Sequence, residues 1–96
     1  MKIIVSDAAD NDLMLIYSYL HQQSPRAAES IANEIYRCLQ NMSSFPFSGP
    51  PRHDLGPGVR SVLVLPYLIL YAVRSDHITV LRVLHGSRDI EAEFRR

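Results

Sequence analysis

One cysteine, one lysine and no long apolar run set the outer limits of what this 96-residue chain can be. Cys38 by itself can form neither an internal disulfide nor a multi-cysteine zinc site, a usage that suits a reducing cytoplasm. No stretch approaches the roughly 18 consecutive apolar residues of a membrane span, so no membrane partner is expected. The opening KIIVSDAAD has a lone lysine, early acids and too few apolar residues for a signal peptide. A Gly-rich phosphate loop, a nucleophile elbow and an HExxH helix are all missing. His53, His77 and His85 are scattered without metal-ligand spacing, so neither a metal nor a cofactor is expected.

What is present is an ordinary globular composition, 47% hydrophobic and 21% charged. That is enough for one core in one domain over residues 1–96. Net charge is zero but unevenly placed: residues 1–50 carry three basic and five acidic side chains, residues 51–96 seven and five. Between positions 52 and 88 every fixed cation is an arginine (Arg52, Arg60, Arg74, Arg82, Arg88), set against Asp54 and Asp76. The planar guanidinium fork suits carboxylate, phosphate and aromatic partners better than a lysine point charge.

Read in order, Lys2 to Val5 is a short strand, and Ser6 or Asp7 can cap a helix whose stripe is Ala9, Leu13, Ile16, Tyr17 and Leu20. Ser24 followed by Pro25 restarts a second helix, predicted to run to about Ser43 with a stripe of Ala28, Ile31, Ala32, Ile35, Leu39 and Met42. So short a link makes the two an antiparallel hairpin. Ser44 to Gly58 holds four of the six prolines and three of the four glycines, and reads as a loop pinned over the core by Phe45, Phe47 and Leu55. Gly56 or Gly58 is expected at positive φ, delivering Arg60 into the sheet. Beyond Val59 the pattern becomes extended, and three runs joined by short links form an antiparallel meander. These strands are apolar on both parities, more than a sheet with helices on one face requires. A partner chain is the expected cover for the second face.

The last strand carries the chemistry. ITVLRVLHGSRD, Ile78 to Asp89, begins β-branched and apolar, then delivers Arg82, His85 and Arg88 to one end. An arginine within such a run must pair or open onto a surface. Ser87 is placed to cap a final helix over Arg88 to Arg96. With Arg60, this cluster could bind phosphates or dock an acidic protein segment. Cys38 reads as helix packing, and Tyr67 and Tyr71 as cross-strand packing on the middle strand.

These residues resemble the RelE/ParE toxin superfamily and, within it, the ParE branch of plasmid-stabilisation toxins. The likeness spans nearly the whole chain: Asp12-Leu13, Ile16 and Tyr19; Ser24-Pro25 and Ala27-Ala28; Phe45-Pro46 and Gly49; Leu55 to Arg60; Tyr67, Ile69 and Tyr71; and, most specific, Val80 to Asp89. It implies an α+β fold, with an N-terminal strand, a helix hairpin on an antiparallel sheet and a short C-terminal helix. It also implies a toxin neutralised by a cognate, ParD-like antitoxin, with operator DNA reached only through that antitoxin. RelE-like members cut messenger RNA in the ribosome, often with a C-terminal tyrosine or histidine-tyrosine pair, whereas ParE-like members poison DNA gyrase. Here no tyrosine follows Tyr71 and Lys2 is the sole lysine, which favours a gyrase inhibitor that is not itself an enzyme. The alternatives are a ribosome-dependent endoribonuclease and a non-toxic antitoxin binder. Arg60, Arg82, His85 and Arg88 are assigned to the target, and Leu13, Tyr17, Ile31, Ile35 and Tyr71 to the antitoxin.

Overall fold

A computed structural model describes all 96 residues. Its elements are β1 (Lys2–Val5), α1 (Asp7–Gln23), α2 (Pro25–Ser44), β2 (Val59–Val64), β3 (Tyr67–Val73), β4 (His77–His85) and α3 (Ile90–Phe94). The α+β architecture expected from the sequence is the one observed. The sheet order is β1-β4-β3-β2, with β2, β3 and β4 an antiparallel meander and β1 added parallel to β4.

Two serines set the helix hairpin. The Ser6 hydroxyl caps α1 by accepting from the Ala9 N–H at 3.1 Å and donates to the Leu81 carbonyl at 3.0 Å. The Ser6 N–H donates to the Val80 carbonyl at 3.0 Å, so the turn out of β1 is stitched to β4. Ser24 closes α1 through its N–H to Leu20 O and opens α2 through its hydroxyl, which accepts from Ala27 N–H at 3.2 Å. Pro25 follows at the first helical position, where no N–H is missed.

The helices cover one face of the sheet. Ile35 and Met42 of α2 and Ala9 of α1 pack on Val64, Tyr67, Ile69, Tyr71, Ile78, Val80 and Val83. The opposite face is not left for a partner chain, as the two-sided apolar strands suggested. Leu55 from the long loop, with Ile90 and Phe94 of α3, covers Val59, Leu68, Leu70, Leu81 and Leu84. Five residues of helix suffice because the loop closes the other half of that patch. Asp89, not Ser87, caps α3, its Oδ1 accepting from the Ala92 N–H at 3.2 Å.

Within β4 the register slips by one residue: Leu70 faces Arg82 and Tyr71 faces Val80, leaving Leu81 as the extra residue of a bulge. Val80 and Val83 therefore both point to the helices, and Arg82 is turned toward the edge of the strand.

The loop between α2 and β2 hangs on Tyr71. Its hydroxyl donates to the Pro46 carbonyl at 2.9 Å and accepts from the Gly49 N–H at 3.0 Å. Tyr71 is 0% exposed, which withdraws it from the antitoxin contacts: its ring is core and its polar end is used up inside the chain. Leu55 is buried as expected, but Phe45 and Phe47 are not, at 62% and 65% exposure. Gly56 and Gly58 both have positive φ, 142° and 74°.

Gly49 matters for a different reason. A Cβ there would overlap the Ser61 carbonyl oxygen and sit 2.7 Å from the Tyr71 hydroxyl. Gly49→Ala is therefore expected to destabilise the fold by about 2 kcal/mol, as overpacking does. Gly58→Val, strained but in open space, should cost about 1 kcal/mol. Urea denaturation measures both, and a Gly49→Ala protein as stable as its parent would mean that the loop approaches β2 less closely.

Candidate target-binding cleft

β1 ends at Val5, opposite Val80, so β4 runs on with its outer edge free of a neighbouring strand. Asp12, on the first turns of α1, fills that gap. Its carboxylate accepts from Arg82 Nε at 2.7 Å, Arg82 Nη2 at 2.9 Å and the Val83 N–H at 2.9 Å. Arg82 then reaches the other way and donates Nη1 to the Glu93 carbonyl of α3 at 2.8 Å. Side-chain exposures of 18% for Arg82 and 11% for Asp12 make this a largely desolvated, bidentate pair. The hydrogen bonds it donates to Asp12 raise the Arg82 pKa further above its ordinary value, against a smaller opposing effect of burial.

Around this pair lies a cleft of about 830 Å³ between α1, the end of β4 and α3. One wall is apolar and aromatic, with Leu15, Tyr19, Leu20 and Tyr67; the other presents His85, Arg88 and Arg96. His85 is held by the turn that follows it: Nδ1 accepts from the Ser87 N–H at 3.1 Å, so the ring proton belongs on Nε2. The ring also packs edge-on to Tyr67, 5.6 Å between centroids. Burial pushes the Tyr67 hydroxyl up, with Tyr19 adding a smaller effect, so it stays a phenol at neutral pH. Arg88 is 60% exposed and makes only a long contact, 3.5 Å, to Glu93 Oε1.

The structure thus brings together three of the four residues assigned to the target and separates the fourth. Arg60 starts the opposite edge strand, faces Tyr71, and donates to the carbonyls of Gly49 at 2.7 Å and Phe47 at 3.3 Å. Among the three, Arg82 is a tie between elements, whereas His85 and Arg88 face solvent. Asp12 went unassigned in the sequence. Its signal was a carboxylate three residues after Ala9 and four before Ile16, inside the inward-facing sector of α1, which demands a partner.

A second concavity lies between the helices. It holds about 270 Å³ and all of its lining side chains are apolar, among them Leu13, Tyr17, Ile31 and Ile35. Four of the five residues assigned to the antitoxin therefore share one groove. Cys38 sits on the other flank of α2, and burial raises its thiol pKa, which suits packing rather than reactivity.

Comparison with known proteins fits this geometry. The pattern of the ParE toxin family, the toxin of parDE type II toxin–antitoxin systems, matches residues 3–90. The chain belongs to the ParE toxin family. It is 32% identical to toxin ParE3 of Caulobacter vibrioides over 69 residues, 72% of this chain and 69% of that protein. The chromosomal ParDE toxin–antitoxin system of P. aeruginosa shares the fold, with a TM-score of 0.73 at 24% identity, covering 88% of this chain and 95% of the other. Membership in the ParE family makes this chain the toxin of a two-component system and implies an antitoxin partner.

For a ParE-family chain the Asp12–Arg82 pair has a measurable consequence. Asp12→Ala leaves Nε and Nη2 of a mostly buried guanidinium and one strand N–H without an acceptor, and should cost about 3 kcal/mol of stability. Arg88→Glu, on an exposed side chain, should change stability by less than about 0.5 kcal/mol. Chemical denaturation of the two variants tests the difference, and equal losses would contradict the division into tie and surface.

Proposed function

We propose that this ParE-family toxin inhibits DNA gyrase through the cleft at the end of β4, and that its cognate antitoxin seats an apolar helix in the groove between α1 and α2. One observation carries the first part. His85 and Arg88 are presented to solvent beside Arg96, in a cleft whose two carboxylates, Asp12 and Glu93, both face arginines. Asp12 is taken up by a bidentate arginine and a strand N–H, and the Tyr67 phenol is pushed away from ionisation. The arrangement favours recognition of an acidic or phosphate-bearing surface over acid–base catalysis. For the antitoxin, an all-apolar groove beside Tyr17 and Tyr36 suits the apolar face of an amphipathic helix, anchored by a few buried side chains. Both proposed interactions suit a cytoplasmic protein, and arrest of gyrase there would stop growth.

A ribosome-dependent endoribonuclease is the second reading, supported by the packing of His85 against Tyr67 in the same cleft. Two variants separate the readings. In a supercoiling assay Arg88→Glu is expected to abolish inhibition while the protein stays folded. His85→Gln should be mild for a binding residue, because the amide keeps a donor and an acceptor. For a proton-transferring residue the same change should cost about 10²–10⁴-fold. Messenger cleavage in a translating extract, with supercoiling untouched, would overturn the gyrase reading.

A further inference from the structure

We propose that Phe45-Pro46-Phe47, with Arg60 at its base, is a second docking surface: a convex aromatic knob that enters an apolar, acid-rimmed pocket on the toxin's protein target. The inference rests on the gyrase reading for the identity of that target.

The knob is fixed rather than loose. The Pro46 carbonyl is held by the Tyr71 hydroxyl, the Phe47 and Gly49 carbonyls by Arg60 Nη1, and the Ser48 N–H by the Phe45 carbonyl at 3.1 Å. The backbone is anchored while both rings stand out in water. The same loop shows the alternative, since Leu55 turns inward and is 4% exposed. Phenylalanine is among the residues enriched in the buried cores of protein interfaces, and an anchored backbone lowers the ordering cost of binding. They are also among the most exposed large apolar side chains of the chain.

Charge and shape narrow the occupant. Arg60 lies 5.1 Å from the Phe47 ring centroid and forms no ion pair; only Nη1 finds acceptors, leaving Nε–H and Nη2 for a partner's carboxylate. The neighbouring Arg52 is already paired with Asp54 at 2.9 Å. A single open cation makes a poor phosphate footprint, so nucleic acid fits badly. An antitoxin tail would seek a concave track, which the helix groove offers and a knob does not. A folded protein with a pocket and an acidic rim satisfies both the shape and the charge.

Phe45→Ala/Phe47→Ala tests this, with Phe47→Lys as a second variant and Leu65→Ala, an exposed leucine away from the knob, as control. Both knob variants are expected to keep the parent's thermal stability, while the concentration needed to inhibit supercoiling rises at least about tenfold, as for interface hot spots. The control should inhibit as the parent does. If the knob variants match the parent while Arg88→Glu has lost inhibition, the gyrase reading stands and the knob proposal falls. Loss of self-association alone, or of binding to DNA alone, would overturn the proposal in favour of a second copy or a nucleic acid. A parent protein that leaves supercoiling untouched rejects the gyrase reading itself.

Discussion

A carboxylate on the first turns of α1 and a guanidinium in the middle of β4 tie together three elements, α1, β4 and α3. Asp12 satisfies the strand N–H that β1 is too short to reach, and Arg82 carries the connection on to the backbone of α3. Paired charges of this kind add little net stability compared with apolar packing, but removing one partner leaves the other stranded. Their value lies in placement. The bulge at Leu81 aims Arg82 at the strand edge, and the pair then fixes the floor of the cleft from which His85 and Arg88 emerge.

Around that floor two concavities meet at α1, where Ile16 and Leu20 line both. Leu13 and Tyr17 look into the apolar groove shared with α2, while Asp12, Leu15 and Tyr19 look into the cleft. Both concavities therefore share α1 as a wall. The Phe45–Phe47 segment lies elsewhere again, beyond the C-terminal end of α2.

The sequence made the elements legible wherever one local rule decided them. Ser24-Pro25 marked the helix restart, the apolar stripes marked the buried faces, and short links forced the meander. The local rules failed where a long-range choice intervened. Two-sided apolar strands implied an external cover because sequence alone did not bring Leu55 and Phe94 back over the sheet. Tyr71 read as cross-strand packing and as an antitoxin contact, but two hydrogen bonds to a loop 22 and 25 residues away commit its polar end inside the chain. Arg60 joined the other arginines by composition, and only the strand order, with β2 and β4 separated by β3, takes it out of the cleft.

Charge pairing decides which groups of the cleft are committed inside the chain and which are open to solvent. The chain is neutral overall, and within the cleft each carboxylate is spent on an arginine: Asp12 on Arg82, and Glu93 at longer range on Arg88 and Arg96. What the cleft offers a partner is exchange. Arg88 and Arg96 hold Glu93 only at 3.5 and 3.7 Å, and either could turn to a better-placed anion at small electrostatic cost. Arg82 cannot turn without breaking the tie between α1 and α3. The exposed arginines are thus the ones free to turn toward an anion, whereas the buried one is committed to Asp12 and the Glu93 carbonyl.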